Sequence, residues 1–310
     1  MIKTTINTNS SAQIKTKRYF SESFKESFVG YLYVSPFFIL FGIFGLFPIL
    51  FSFYLGFQKW NGLNEMEFVG LNNYKLIYSD PVFWKAIYNT IIIGFLGCFP
   101  ILVFSIILAF ILNSAFVRLK SIFRVSLFMP YVTSTVAVAI VFGVIFSNME
   151  FGIANLTFSW FGFEPIKWQV GEWAVKIAIA CMVLWRWVGY NVIIFIAGLQ
   201  SIPIELYEAA TIDGATTRQQ LFYITVPLLK PVIIFTVFLS TVGSLQLFTE
   251  PLIFLGRNAR EEGITAVLYL WREAFNNMAF GTASAAAVTL FFIIIIVSFI
   301  NYLITNRISS

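Results

Sequence analysis

Six stretches of this chain are each long and apolar enough to cross a lipid bilayer: residues 30–57, 86–112, 124–146, 173–200, 231–249 and 284–305. A hydrocarbon core about 30 Å thick needs about 20 apolar residues in a helix rising about 1.5 Å per residue. Backbone groups inside lipid find no water to bond, which forces each run to be helical. The chain therefore reads as an all-α membrane protein of six transmembrane helices. The fifth run is the least regular, because Gly243, Ser244 and Gln246 interrupt it and Glu250-Pro251 closes it. Pro48, Pro100 and Pro130 fall within or near spans, where neighbouring helices can take up the freed carbonyls. The first run follows a long polar tail and exceeds the apolar core of a secretory leader, about 7–15 residues, so it reads as a retained span.

Composition excludes several classes of function. Only 11% of the 310 residues are charged and 59% are hydrophobic. A soluble domain averages about 25% charged residues, and a soluble fold of this composition could not cover its own apolar surface. Histidine is absent, which removes histidine acid–base catalysis and histidine metal sites. No paired-carboxylate motif lies within a span and no metal-ligating cluster is visible, so neither catalysis nor a metal is expected. Cys98 and Cys181 sit in apolar runs and read as small buried hydrophobes. The net charge of +5 comes from scattered residues rather than a basic patch, so nucleic acid is not an expected partner.

The loops set an orientation. With both termini on one side, that side carries eleven basic residues, among them Lys3, Lys15, Lys17, Arg118, Lys120, Arg124, Arg218 and Arg307, against five acids. The other side carries seven basic residues and ten acids. The basic side is the cytoplasmic one by the positive-inside rule. An even number of spans independently puts both termini there.

The loop between the fourth and fifth runs, residues 201–231, differs from the rest. Pro203 suits a first helical position, and Glu205 and Glu208 follow where a helix dipole favours acids. Ile204, Tyr207, Ala210 and Thr211 recur at helical spacing. Asp213-Gly214 is a stop signal, and Thr216 or Thr217 can cap a second short helix. Leu221, Phe222 and Ile224 give that helix its own apolar face, and Pro227 and Pro231 mark the return to the membrane. A helical hairpin outside the bilayer must cover its apolar face. Physical chemistry alone leaves two readings, packing under its own bundle or in headgroups, and docking into a groove of a partner.

The residues of this loop resemble the signature of binding-protein-dependent ABC permeases: Glu208-Ala209-Ala210, then Gly214, Ile224, Val226 and Pro227 at the family spacing, with Val226 where leucine is usual. The flanking segments WVGYNVIIFIAGLQSIP, TVPLLKP and VLYLWREAFNNMAFGTASAAAVTLFF are similar to the carbohydrate branch, which includes maltose-type, multiple-sugar and glycerol-phosphate permeases. The resemblance spans residues 88–305. It implies the type I importer permease fold, with a polar cytoplasmic tail at 1–29 and a transmembrane domain at 30–310 whose permease core is 86–305.

It also implies partners: a second permease chain, usually a different one, two copies of a cytoplasmic ATPase, an extracytoplasmic solute-binding protein, and a saccharide as solute. The hairpin would seat in a cleft of the ATPase, with Glu208, Ala209, Ala210, Asp213, Gly214, Ile224 and Pro227 as the coupling residues. No Gly-x-x-x-x-Gly-Lys-Ser/Thr loop is present, so ATP and magnesium belong to the ATPase and this chain needs no cofactor. Lining of the cavity by the fourth and fifth spans points to Trp185, Arg186, Gly189, Tyr190, Asn191, Ser244, Gln246 and Glu250, polar and aromatic groups suited to hydroxyls and sugar ring faces. Two readings stay open for Arg186, contact with solute or a packing pair with Glu250. Two also stay open for the small-residue run Gly281, Ala283, Ser284, Ala285, Ala286 and Ala287: contact with the partner permease, or packing within this chain. The rival function is a self-contained secondary transporter or channel, which would not require the hairpin.

Overall fold

The computed structural model describes residues 27–114, 117–256 and 260–309; the tail as far as residue 26, with its lysines, and Arg257 lie outside them. The chain divides into two compact units, 1–54 and 55–310. The first holds nearly all of α1 (Ser27–Leu55), with a π turn at Gly42–Leu46 just before Pro48. A proline ring crowds the carbonyl four residues before it, and a widened preceding turn relieves that contact.

The second unit opens with a two-stranded ribbon, β1 (Gln58–Lys59) against β2 (Glu67–Phe68), followed by α2 (Asn72–Ser79). Buried Asn73 donates to the carbonyls of Gly56 and Gln58. Next comes α3 (Pro81–Asn113), capped by Asp80, whose Oδ1 accepts the Val82 N–H at 2.8 Å, with Pro81 in the first turn. It begins five residues before the apolar run, because the cap and not the hydropathy sets its start.

The long α7 (Glu172–Leu199) lies parallel to α3 and α10 (Lys230–Leu245) runs antiparallel to both. Gly97 lets α3 approach Val183, and the Ser105 hydroxyl donates to the Val188 carbonyl at 3.0 Å. The closing helix α13 (Phe280–Ser309) buries Ala283, and it buries Ala285 and Ala286 in one cluster with Ile77, Phe83 and Ala86. A side chain at Gly281 would overlap the Gln58 carbonyl. The small-residue run therefore packs within this chain.

Two expected spans are broken. The third is α4 (Lys120–Val132) followed by α5 (Thr135–Ile145), bent by 92°. Thr133 and Ser134 are extended between them, and the Thr133 hydroxyl turns back to the Met129 carbonyl. The fifth, α10, ends at Leu245 and meets the preceding helix α9 (Thr217–Leu228) at 71°. Four helices are long and apolar enough to cross alone among the described residues, and the count reaches six when each bent pair is taken as one span. Contrary to the sequence reading, Glu250-Pro251 does not close the fifth span. It lies in the first turn of a separate helix, α11 (Thr249–Leu255), which packs against α5. Proline needs no N–H there, so the residue that looked like a stop is a start.

At the end where α3 and α7 begin, Asn89 donates to the carbonyls of Glu261 and Ile264, and the Thr90 hydroxyl accepts the Ala266 N–H at the head of α12 (Ala266–Trp271). The Thr265 hydroxyl bonds the Leu247 carbonyl, fixing the approach to α11. Tyr269 donates to Asp80 Oδ2 at 2.7 Å. Nearby Glu273 is pushed above the usual carboxylate range by burial, which outweighs the Asn277 hydrogen bond and the Arg272 charge. At the opposite end a cluster of Ile106, Ala109, Leu112, Val192, Phe195, Leu199 and Leu229 forms the floor on which the hairpin stands.

Candidate functional site

The hairpin consists of α8 (Glu205–Ile212) and α9. Gly214 has φ +78°, and the turn closes with Gly214 N–H to the Thr211 carbonyl at 3.1 Å and Ala215 N–H to the Ala210 carbonyl at 2.8 Å. This is a Schellman stop, in which a left-handed residue satisfies the last carbonyls. A Cβ at Gly214 would meet nothing within 4 Å, so the demand is on backbone conformation and not on space. Of the two possible caps the structure uses Thr216: its hydroxyl accepts the Gln219 N–H, and the Gln219 carboxamide accepts the Thr216 N–H at 2.7 Å. Side chains tie the two arms together, Tyr207 to the Thr225 hydroxyl at 2.8 Å and Gln220 to Thr211 at 2.9 Å.

The tie turns Tyr207 and Ala210 inward, while Ile204, Ile212, Phe222 and Tyr223 stay exposed, Ile212 to 86%. The expected face of Ile204, Tyr207, Ala210 and Thr211 is thus split, with Ile204 and Thr211 exposed. Glu208, Ala209, Asp213, Gly214 and Pro227 are exposed, and Ala210 and Ile224 are half-buried. The seven hairpin positions singled out by sequence therefore share one compact, hydrogen-bonded, largely uncovered element.

The second feature is a cavity of about 380 Å³ between α3, α4, α7, α10 and α11. Tyr131, Trp187 and Tyr190 form its aromatic wall: Tyr131 and Tyr190 stack at 4.7 Å, and Trp187 meets both edge-on at 5.2 and 5.7 Å. Asn191, Ser240, Ser244, Gln246 and Glu250 supply polar groups. Thr236 adds a buried hydroxyl without a hydrogen-bond partner. Arg186 Nη1 donates to Glu250 Oε1 at 3.0 Å from behind the wall, and both side chains are largely buried. The pair puts a neutralised carboxylate at the cavity edge and joins α7 to α11.

Five of the eight predicted pathway residues line this cavity: Tyr190, Asn191, Ser244, Gln246 and Glu250. Three do not. Trp185 points the other way, against Phe142. Arg186 serves as the partner of Glu250, the packing reading. A side chain at Gly189 would overlap the Leu127 carbonyl, so this glycine brings α4 close to α7. Helical phase explains the split: positions 183, 187, 190, 191 and 194 share a stripe, and 185 and 189 lie on the far side. Phase therefore identifies Trp187 within α7. Tyr131 carried no comparable signal, since its place depends on the bend after it.

A bundle of bent helices around a polar cavity, with a helical hairpin at one end, fits a membrane transport subunit. Residues 101–310, which include the hairpin and nearly all of the cavity wall, match the family described as "Binding-protein-dependent transport system inner membrane component". The chain belongs to that family and is a permease component of an ABC import system. The arabinooligosaccharides transport system permease protein AraP of Bacillus subtilis (strain 168) is 37% identical over 87% of this chain and 86% of its own length. The lactose transport system permease protein LacF of Rhizobium radiobacter is 36% identical over 92% and 95%. A chain in the crystal structure of a bacterial alginate ABC transporter, in complex with alginate pentasaccharide-bound periplasmic protein, superposes with a TM-score of 0.81, covering 93% of this chain and 98% of that one. At 21% identity that likeness concerns the fold.

Proposed function

We propose that this chain forms half of the translocation pathway of an ATP-driven, binding-protein-dependent sugar importer. The reading is supported most by the aromatic and amide wall of the cavity. Tyr131, Trp187 and Tyr190 offer ring faces to the C–H faces of a pyranose or furanose, and Asn191, Thr236, Ser240 and Gln246 offer hydrogen bonds to its hydroxyls. Relatives named for arabinooligosaccharides and lactose point to the same class of solute. Glu250 takes part through the Arg186 pair, which removes the cost of an isolated charge within the bilayer.

The hairpin and both termini face the cytoplasm in this reading. Ala209 and Ala210 let a separate ATPase subunit approach closely, Glu208 and Asp213 supply charge-assisted contacts, and Gly214, Ile224 and Pro227 fix the shape that receives the motion. ATP and magnesium bind to that subunit. A second, different permease chain completes the pathway, and an extracytoplasmic solute-binding protein delivers the saccharide. The chain itself performs no catalysis.

The test is to purify the chain with the products of neighbouring genes and measure ATP hydrolysis as saccharides are supplied through the binding protein. A neutral mono- or oligosaccharide should raise hydrolysis several-fold, and Trp187→Ala should blunt the response. Stimulation by amino acids or peptides alone, or solute movement without any ATPase, would refute the proposal.

A further inference from the structure

The segment between α5 and α7 makes up neither the hairpin nor the cavity, yet it is a built structure. Asn155, buried on α6 (Ile153–Ser159), donates to the carbonyls of Ser147, Met149 and Ile166 and accepts from the Ile166 N–H and the Trp168 indole. Asn148 accepts the Gln169 N–H at 2.8 Å, and Gln169 reaches back to the Gly143 carbonyl on α5. Ala154 and Trp168 pack into the main apolar cluster with Val138 and Ile179. The polar interior of this loop is thus satisfied and its position is fixed.

Its outer surface is the reverse of what water selects. Residues 151–163 contain no ionisable side chain, with Glu150 and Glu164 just outside. Trp160 is 82% exposed and Phe161 75%, beside exposed Phe151, Ile153, Leu156 and Phe163. Tying the polar groups inward while presenting aromatic rings outward is costly unless something apolar receives them.

Depth identifies that receiver. By residue count α3 spans about 50 Å and α7 about 42 Å, so each extends beyond a hydrocarbon core of about 30 Å. The first two turns of α3 expose Trp84 and Tyr88, and the first turn of α7 exposes Trp173. The Lys176 ammonium sits 5.7 Å from the Tyr88 ring centre and 5.5 Å from that of Trp173, placing the two helix starts at one level. Gly171 N–H bonds the Lys167 carbonyl, so the loop leads into α7 at that same level. Tryptophan and tyrosine concentrate at this depth, where an apolar ring and a polar edge are both accommodated.

We infer that residues 151–163 form an interfacial anchor that inserts Trp160, Phe161 and Phe163 into the lipid headgroup–acyl boundary, next to the aromatic girdle of α3 and α7. The anchor holds the start of α7, and with it the Arg186–Glu250 pair and the cavity wall, at a fixed depth. The occupant of this surface is lipid and not a protein chain.

Trp160→Cys and, separately, Phe163→Cys are spin-labelled in the full importer reconstituted in vesicles of phosphatidylethanolamine and phosphatidylglycerol. Both side chains lie outside the Asn155 network, and the unsubstituted chain sets the background labelling of Cys98 and Cys181. Relaxation by oxygen should exceed relaxation by a water-soluble nickel chelate at both sites, with a depth about 5–10 Å below the phosphates. Dominant nickel relaxation, meaning water, would overturn the anchor. Protection from both reagents would overturn it equally, because a second permease chain or the binding protein would then cover the loop.

Discussion

The turn and the hydrogen bonds between the arms of the α8–α9 hairpin come from residues 203–229, whereas the cavity assembles its wall from five helices spread between Cys98 and Glu250. The hairpin is held by local hydrogen bonds and one left-handed glycine. The cavity is held by a bend in one helix, the early end of another, and an ion pair 64 residues apart in sequence. This difference separates stability from function. Substitutions in the cavity should cost fold and ligand together, because its residues are also the packing. Substitutions on the hairpin should cost little fold, because most of its surface is uncovered, and should register in coupling.

The largest effect separating the two regions should come from Arg186. Arg186→Met leaves Glu250 buried without its partner, a cost of about 3–5 kcal/mol. A lowered thermal midpoint of the detergent-solubilised chain measures it, and Arg186→Met with Glu250→Leu should recover most of the loss. If the single variant is as stable as the parent, the pair does not hold the cavity together.

Next in size is a contrast within α7. Trp187→Leu removes a ring from the cavity wall and should weaken saccharide-stimulated ATP hydrolysis about tenfold in apparent affinity, about 1.4 kcal/mol. Trp185→Leu, two residues away but facing Phe142, should leave apparent affinity within about twofold. Equal responses would remove the aromatic wall from the pathway.

The same contrast explains what the sequence disclosed. The apolar runs showed the spans because hydropathy within lipid is a local property, and the hairpin was legible to the level of its Schellman stop because Asp213, Gly214 and Thr216 act on their own neighbours. Glu250 does line the cavity, yet its helix was misread: Pro251 looks the same whether it ends one helix or begins the next. Trp185 and Trp187 are alike in composition and differ in rotation about the helix axis, which puts Trp187 and not Trp185 on the cavity. Tyr131 was missed because its place follows from the 92° bend, which Thr133-Ser134 permits but does not announce. The Arg186–Glu250 pair could be named as a possibility because opposite charges in lipid seek each other, whereas the aromatic contact of Tyr131 with Tyr190 left no such mark in the sequence.

On the hairpin the expected energies are smaller. Gly214→Ala forces a Cβ residue to φ +78°, a strain of about 1–2 kcal/mol. Because the surrounding space is open, the change should leave membrane insertion intact and lower transport per ATP hydrolysed. Gly214→Asn, which tolerates the left-handed region, should restore part of the ratio. Full coupling in the alanine variant would show that this turn does not transmit the motion.

The smallest effect is also the most discriminating. Tyr207→Phe deletes only the hydroxyl that bonds Thr225 at 2.8 Å, worth about 1 kcal/mol, and keeps the ring that packs between the arms. Thr225 is fully buried and would keep an unsatisfied hydroxyl, whereas Thr225→Val together with Tyr207→Phe removes both polar groups. If the hairpin works as a rigid lever, the single variant should loosen the hinge between α8 and α9, seen as faster amide exchange at 205–212, and lower the transport-to-hydrolysis ratio. The double variant should recover both. If exchange quickens and the ratio does not move, rigidity between the arms is incidental, and α8 alone bears the load.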